Sequence, residues 1–389
     1  MVAHRSSTTR RRWPRRALLA LVPLTLVAVV ITGVDRTLGA ESWGGPRSDH
    51  FDGRRFVNQE PYHDKSLGDL LRWRLATARE GRGAWPEWID AAAGPRPPAH
   101  VAGSVVRATL VNHATLLLQL DGVNVLTDPV WSDRVGPVSW LGPRRVRAPG
   151  LRFDDLPPID VVVISHNHYD HMDVATLRRL VAAHRPRILA GLGNRRYLEA
   201  RGVTGVEDVD WGDTAVVRGV TVTAVPLRHW SARARTDRRH TLWAGYVVTG
   251  PSGRVYFGGD TGYGGHFAEA RARFGPFDLA LLPIGAFAPR WFMGDNHMSP
   301  REAVRAAGEL GARVVVPMHY GTFPLGSDGE GEALDSLRAA LGEARGRVVI
   351  AEHGAGVEVL RDGVASPDTG SRGSRPTLRP APPAPPRQR

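Results

Sequence analysis

Short apolar runs rich in β-branched residues alternate with helix-like patterns between Val101 and about Leu360. Apolar runs of this length, bounded by turn-forming residues, are typical of buried β-strands. Alternation of such strands with helices predicts an α/β layered domain in which strands lead into functional loops. The clearest predicted strands are SVVRATLV (104–111), NVLTDP (124–129), DVVVIS (160–165), TVTAVPL (221–227), RVYFGGD (254–260) and RVVVPMH (313–319).

Three segments carry the spacing or the capping residues of helices. The first spans Leu67 to Arg79. The second begins near Asp173, which we expect to cap the helix rather than to bind metal, and one face of it carries Val174, Leu177, Leu180 and Val181. The third begins at the capping box Ser299-Pro-Arg-Glu302 and ends at Gly311.

The pattern divides the chain into four segments. Residues 1–35 join an arginine cluster to an apolar run, and residues 36–100 form a polar, turn-rich extension that we expect to pack on the main domain. Residues 101–361 form the α/β domain. Residues 362–389 are rich in Pro, Arg and Ser, and this composition predicts a disordered tail.

The apolar run Ala17–Val34 has eighteen residues without a charge. Because a bilayer core needs roughly 20 apolar residues, the run is nearly long enough to span. It is long for the apolar part of a cleaved signal, so we favour an uncleaved signal anchor over a cleaved one. The arginines before it would stay in the cytoplasm, which predicts a membrane-anchored protein with an extracytoplasmic catalytic domain.

Composition narrows the chemistry further. The formal net charge of +12 comes mainly from arginine and is concentrated at the termini, so we expect no nucleic-acid partner. The sequence contains no cysteine. The fold therefore has no disulfides, and any metal site must be built from His, Asp and Glu.

The segment that follows DVVVIS has the form HxHxDH. It brings His166, His168, Asp170 and His171 onto one turn after a buried strand. Imidazole and carboxylate groups are the zinc ligands available to a cysteine-free chain. His166 and His168, two residues apart, can share one ion, while Asp170 and His171 can reach a second ion beside it.

Three more ligand-type residues stand at the ends of predicted strands, namely His229, Asp260 and His319. A histidine-rich loop without metal does not explain this repetition. The seven residues can hold two ions, with a carboxylate free to bridge them. We therefore expect two Zn²⁺ per chain, although Mn or Fe suits the same ligands.

HxHxDH followed by a later His, Asp and His resembles the metallo-β-lactamase superfamily. Several longer stretches resemble the N-acyl-phosphatidylethanolamine-hydrolysing phospholipase D family within it. They are LTDPVWSDR (126–134), LGPRRVR (141–147), LPPIDVVVISHNHYDHMD (156–173), FGGDTGY (257–263), RFGPFDLALLPIGAFAPRWFM (273–293) and HYGTFPL (319–325). The resemblance implies a four-layer αβ/βα sandwich and suggests a homodimer. The N-terminal transmembrane anchor is expected from the apolar run alone and lies outside the resemblance.

The resemblance also implies roles for individual residues. One zinc would be held by His166, His168 and His229 and the other by Asp170, His171 and His319, with Asp260 bridging the two. Asp170, Asp260 and His297 would act in catalysis. Asp128 and His113 would support the ligands from behind.

The implied activity is membrane-associated cleavage of a phosphodiester by metal-bound hydroxide. The family reaction converts N-acyl-phosphatidylethanolamine into an N-acylethanolamine and phosphatidic acid, so a phospholipid and the membrane are the expected partners.

Two sets of side chains could contact such a substrate. One interpretation of the arginines is a phosphate contact, and they are Arg233, Arg235, Arg238, Arg239 and Arg290. One interpretation of the large aromatic residues is a membrane-facing entrance, and they are Trp131, Trp140, Trp230, Trp291 and Phe292. Two alternatives are a same-fold hydrolase of a soluble phosphodiester or a lactone, and a non-catalytic zinc-binding protein anchored in a membrane.

Overall fold

The computed structural model describes residue 33, residues 35–360 and residues 363–364. Two β-sheets face each other at the centre of the molecule. The first has eight strands in the order β14-β13-β1-β2-β3-β4-β5-β6, and the second has six in the order β12-β11-β10-β9-β8-β7. Strands β3 to β6 are parallel in the first sheet, as are β10 to β12 in the second, so the carboxyl ends of each parallel set meet at one edge.

The strand bounds follow the predicted apolar runs. The first sheet contains β1 (Val105–Asn112), β2 (Thr115–Leu120), β3 (Val123–Thr127), β4 (Val161–Ile164), β5 (Arg187–Gly191), β6 (Val206–Val209), β13 (Gly356–Leu360) and β14 (Gly363–Val364). The second contains β7 (Thr214–Val217), β8 (Val220–Val225), β9 (Gly245–Gly250), β10 (Gly253–Phe257), β11 (Leu279–Pro283) and β12 (Val314–Met318). All six apolar runs predicted to be strands are confirmed.

The helices are α1 (Leu67–Glu80), α2 (Val174–His184), α3 (Asn194–Glu199), α4 (His266–Phe274), α5 (Arg290–Met293), α6 (Pro300–Leu310) and α7 (Glu332–Ala340). Helices α2 and α3 lie on the outside of the first sheet, α4 and α6 pack with the core of the second, and α1 belongs to the extension. Leu177 and Leu198 pack with Ile188 on the outside of the first sheet. Phe267 and Leu310 belong to the core that also fills the space between the sheets. These layers confirm the predicted αβ/βα sandwich.

The predicted helix caps are confirmed. Asp173 accepts hydrogen bonds from the backbone N–H groups of Ala175 and Thr176, which satisfies donors that have no partner within α2. Ser299 and Glu302 form the capping box of α6, and Gly311 ends that helix with φ 64°. A residue without a Cβ takes up this left-handed conformation readily, which explains the stop.

The extension before the sandwich is held against it by an aromatic cluster. Phe51 and Phe56 are buried and pack with Trp43 and with Trp243 of the main domain. Farther along the extension, the indole of Trp85 donates a hydrogen bond to the carbonyl of Asp328. The bounds chosen for the segments stay a prediction.

Both predicted end segments lie largely outside the described residues. The expected anchor, Ala17–Val34, does so apart from Gly33. None of the helices in the described part of the chain is long and apolar enough to cross a membrane. At the other end, strand β14 lies just beyond the expected domain end at residue 361. It pairs antiparallel with β13, whose edge offers unpaired backbone groups.

Candidate metal centre

The first four candidate ligands lie in the loop that leaves β4. The strand is buried throughout, and Ser165 follows it directly. The chain then turns tightly, because the backbone N–H of Met172 donates to the carbonyl of His168 at 2.9 Å. Asp173 caps α2 immediately afterwards and fixes the far end of the turn. A rigid strand on one side and a capped helix on the other therefore hold the HxHxDH segment.

Three imidazoles meet at one point in this centre. His166 Nε2 lies 2.8 Å from His168 Nδ1, and His229 Nε2 lies 3.4 Å from the same atom. The outer nitrogens of two of these rings have partners: His166 Nδ1 faces Ser165 Oγ at 2.9 Å, and His229 Nδ1 donates to the carbonyl of Asn296 at 3.0 Å. The Nε2 atoms of His166 and His229 are therefore free to offer lone pairs to a shared ion.

A second group combines carboxylates and imidazoles beside the first. Asp260 Oδ2 lies 3.1 Å from His171 Nε2 and 3.0 Å from His319 Nε2. Asp170 Oδ2 lies 3.3 Å from His171 Nε2 and 3.5 Å from His319 Nε2. Asp260 also lies 4.0 Å from His229 Nε2, and its Oδ2 is thus the carboxylate oxygen closest to both groups.

Asp128 supports the centre from behind. Its Oδ2 faces His171 Nδ1 at 2.7 Å and accepts a hydrogen bond from Ser165 Oγ at 2.6 Å, while its Oδ1 accepts from the backbone N–H of Ser165 at 2.7 Å. A carboxylate on Nδ1 keeps the proton there and leaves Nε2 as the ligand atom. Asp128 is fully buried.

Three residues at the centre have a positive φ. The values are 48° for His113, 34° for Asp128 and 61° for His319. Non-glycine residues adopt this conformation at a cost that the surrounding structure must offset, and such residues cluster at functional sites. Here the backbone N–H of His319 donates to the carbonyl of His113 at 2.7 Å, so the turn after β12 is tied to the turn after β1. His113 also places its Nε2 3.0 Å from Asp170 Oδ2.

His297 lies on the open side of the same cluster. Its Nδ1 is 3.7 Å from Asp260 Oδ2, and its ring centroid is 5.4 Å from those of His229 and His319. Arg290 holds its backbone by donating to its carbonyl at 2.8 Å. All ten residues singled out in the sequence are thus brought together: His113, Asp128, His166, His168, Asp170, His171, His229, Asp260, His297 and His319. Their individual roles stay a prediction.

The donor set fits metal ions. Four groups of His and Asp residues have ligand atoms that all lie within 4.8 Å of one another, and Asp260 belongs to two of them. Asp260 Oδ1 is buried and has no hydrogen-bond partner among the described residues. Leaving a buried carboxylate oxygen unpaired is costly unless a cation satisfies it. The centre therefore has the chemistry of a metal site.

The pKa shifts distinguish the three-histidine group from the group that contains Asp260 and Asp170. Burial lowers the pKa of His166 and of His229 well below the usual value, so these rings are neutral ligands. Burial also opposes a charge on His319, but the carboxylates of Asp260 and Asp170 outweigh it and raise its pKa to about 9. A cation that binds beside those carboxylates replaces the proton they attract.

Several contacts of the centre could not be found from the sequence. Asn58, in the extension, accepts from the backbone N–H of His229 at 3.0 Å and donates to its carbonyl at 2.9 Å. Tyr62 donates its hydroxyl to Asn296 Oδ1, and the carbonyl of Asn296 is the partner of His229 Nδ1. No motif marks Asn58 or Tyr62, because their partners are more than 150 residues away along the chain.

The candidate arginines have different environments. Arg233 is buried and donates to the carbonyls of Asn167 at 3.1 Å and Met172 at 2.9 Å, so its charge supports the metal-site loop. Arg290 binds backbone carbonyls and Glu302. Arg238 instead lies 3.8 Å above the ring of Trp230, which in turn stands 4.3 Å from His168. Arg238 also pairs with Asp64 at 3.2 Å, and of these three arginines it is the one stacked on an aromatic ring that contacts a candidate ligand.

The candidate aromatic residues also differ in their environments. Trp131 donates to the carbonyl of Leu151 and packs against the outer core of the first sheet, so it does not line an entrance. Trp140 is 75% exposed and Trp291 is 40% exposed.

Comparison with known proteins agrees with this geometry. Residues 123–320, about half of the chain, match the family described as "Beta-lactamase superfamily domain". The chain belongs to the β-lactamase superfamily. The predicted resemblance to the phospholipase D family is also confirmed, since the chain is 40% identical over 232 residues to the N-acyl-phosphatidylethanolamine-hydrolyzing phospholipase D 1 of Caenorhabditis elegans. That match covers 57% of this chain and 65% of the relative.

This superfamily member has other relatives. It is 46% identical over 233 residues to an uncharacterized protein of Mycobacterium tuberculosis, a match that covers 59% of this chain and 62% of the relative. The chain thus spans less than two thirds of either curated relative. Igni18, a metallo hydrolase of Ignicoccus hospitalis, shares the fold, with a TM-score of 0.50, 22% identity and coverage of 65% of this chain and 98% of that one.

Proposed function

We propose that this chain is a dinuclear metal hydrolase of phospholipase D type, which cleaves N-acyl-phosphatidylethanolamine into an N-acylethanolamine and phosphatidic acid. Two zinc ions are the preferred cofactors, since nitrogen and carboxylate ligands without sulfur suit them. The superfamily membership supports a metal-dependent hydrolase. The likeness to the nematode phospholipase supports the lipid substrate.

The position of Asp260 carries the proposal. One of its oxygens lies about equally far from His171 and His319, and the three-histidine group lies on the other side of His171. A carboxylate shared in this way would suit the bridging position of a dinuclear site. Two bound cations would lower the pKa of water and neutralise charge on a phosphoryl group, which is the chemistry that phosphodiester cleavage requires.

The protein's own residues complete the site. Asp128, Ser165 and Asn296 orient the ligand rings and exclude alternative tautomers. His297 faces the same space without a protein partner for its buried Nδ1 in the described part of the chain, so it is available to contact the substrate or to move a proton. Its role belongs to this proposal.

The side chains beside His168 suit a phosphodiester with an apolar end. Arg238 stacks on the indole of Trp230, which contacts His168, and a phosphate group would compete with Asp64 for this guanidinium. Guanidinium groups bind phosphate oxygens in pairs, and an indole accommodates both an acyl chain and a polar headgroup. Membrane association and a homodimer are parts of the proposal that rest on the resemblance.

The test uses the full chain purified in detergent and assayed with N-acyl-phosphatidylethanolamine in mixed micelles. Phosphatidic acid is measured by mass spectrometry, and metal content is measured on the same sample. We expect about two metals per chain and product release, both reduced in Asp260→Asn. Asp278→Asn is the matched control, because Asp278 pairs with Arg313 away from the centre.

The outcomes separate the alternatives. Two metals without lipid turnover would contradict the phospholipase assignment and favour a soluble phosphodiester or a lactone. A folded protein that binds no metal would contradict the metal centre itself.

A further inference from the structure

Helix α1 presents an apolar stripe to solvent. Leu67 is 80% exposed, Leu71 61% and Leu75 57%. Because four residues advance a helix by slightly more than one turn, these three side chains lie on one side. None of the fourteen residues of α1 is buried. An exposed run of leucines on one helix face marks an interaction surface rather than a scattered set of surface residues.

The opposite side of α1 is fixed to the domain. Trp73 stacks on Phe292 with the ring centroids 4.9 Å apart, and its indole donates to Ser327 Oγ at 2.9 Å. Thr77 Oγ1 lies 3.2 Å from the same hydroxyl. These contacts hold one side of the helix against the domain. The leucines lie on the opposite side and therefore face outward.

Arginines flank the leucine stripe. Arg72, Arg74 and Arg79 are exposed, and a rotation of about 100° per residue places them on either side of the leucines. The two acidic residues of the helix, Asp69 and Glu80, fall on the side away from the stripe by the same rotation. None of the three arginines forms an ion pair with any residue that the structure describes.

A tryptophan extends this surface. The guanidinium of Arg72 lies 4.7 Å from the ring of Trp291, which is 40% exposed. The surface therefore combines leucines, an indole and cations without a carboxylate. Helices that lie in the plane of a membrane surface have this composition.

The surface begins beside the candidate metal centre. Lys65, two residues before α1, forms an ion pair with Asp295 at 2.9 Å. Asp295 directly precedes Asn296 and His297, which belong to the centre. A membrane lying against α1 would therefore be close to the candidate metal centre.

We propose that the surface formed by Leu67, Leu71, Leu75, Trp291 and the three flanking arginines docks on a bilayer of anionic phospholipid. The inference rests on the proposed function, because it explains how the enzyme reaches a lipid substrate. A second copy of the chain is the less favourable occupant. Two-fold pairing would bring like-charged arginines together without carboxylates to offset them.

The test uses the absence of cysteine from the chain. Leu71→Cys in the full chain carries a nitroxide label, and the protein is reconstituted in vesicles of phosphatidylcholine with or without phosphatidylglycerol. The matched control is Val216→Cys, since Val216 in β7 is an aliphatic side chain with 59% exposure. Collisions of the label with oxygen, which is enriched in lipid, are compared with collisions with a water-soluble nickel complex.

We expect oxygen collisions to rise and nickel collisions to fall at position 71 in the anionic vesicles only, with no change at position 216. Replacing Arg72, Arg74 and Arg79 together by Gln should abolish the shift. An unchanged label in anionic vesicles would overturn the proposal. Dipolar broadening of the label in lipid-free detergent would overturn it in favour of a second copy.

The measurement involves no turnover, so it separates this inference from the proposed function. It can be repeated in Asp260→Asn, where the label should shift as before. A normal shift together with absent phospholipase activity would contradict the proposed function and leave the docking surface standing.

Discussion

Asn58 hydrogen-bonds both the N–H and the C=O of His229, with distances of 3.0 and 2.9 Å. One amide side chain thereby replaces the partners that a neighbouring β-strand would have supplied. His229 stands just beyond the end of β8, where strand pairing has ended. The extension before the sandwich therefore helps to hold a candidate metal ligand.

We expect Asn58→Ala to weaken metal binding about 10-fold, because residues that orient ligands typically contribute a factor of this size. Competition with a chromogenic chelator measures the affinity. Asn124→Ala is the matched control, since Asn124 also joins the extension to the domain by donating to the carbonyl of Ala99, far from the centre. Equal losses of affinity in the two variants would show that Asn58 acts only through general stability.

Asp128→Asn should weaken metal binding about 10- to 100-fold. An amide in place of this carboxylate cannot accept from both Ser165 and His171 Nδ1, so the proton of His171 moves toward Nε2, the ligand atom. Metal content after dialysis measures the effect. Asp160→Asn is the control, because Asp160 binds the backbone N–H of Asn124 and Arg218 at the other end of β4. Full metal retention in Asp128→Asn would contradict the role assigned to Asp128.

Removing metal should lower the melting temperature of the folded protein. An ion present at about 1,000 times its dissociation constant stabilises the native state by about 4 kcal/mol. Differential scanning calorimetry with and without chelator measures the shift, and adding metal back should reverse it. Ser299→Ala is a useful comparison: loss of its helix cap costs about 1 kcal/mol, yet the shift caused by chelation should stay the same. A melting temperature insensitive to chelator would argue against a bound metal.

Arg233 and Arg238 should behave differently when replaced by Ala. Arg233→Ala leaves two buried carbonyls without their charged donor, and we expect the free energy of unfolding to fall on the order of 3 kcal/mol. Arg238→Ala should leave stability nearly unchanged and raise KM for the phosphodiester. Urea denaturation and steady-state kinetics measure the two effects, with Arg235→Ala in the same loop as the control. A stability loss of equal size in both variants would refute the distinction.

Much of the fold could be predicted because its signals are local. The apolar runs fix the strands, and Asp173, Ser299 and Gly311 fix helix ends through contacts within a few residues. Ligand-type residues at the ends of parallel strands meet for a topological reason, which is why Asp260 and His319 could be placed beside the HxHxDH segment.

The remaining features depend on contacts that leave no local signal. The sequence does not distinguish the buried guanidinium of Arg233 from the partly exposed one of Arg238 five residues later. The leucine spacing of α1 is equally typical of a buried helix face, and only the contacts of Trp73 decide which side faces the domain. Asn58 meets its partner across 171 positions of sequence.

The hydroxyl of Ser165 joins the two ligand groups, because it donates to Asp128 and faces His166 Nδ1 at 2.9 Å. Asp128 is in turn bonded to His171 Nδ1. One chain of hydrogen bonds therefore fixes the tautomer of a ligand in each group. An ion that fixes His166 thereby favours the tautomer of His171 that receives the next ion. Loading should accordingly be cooperative, and titration with substoichiometric metal should yield a mixture of empty and fully loaded molecules rather than a population of singly loaded ones.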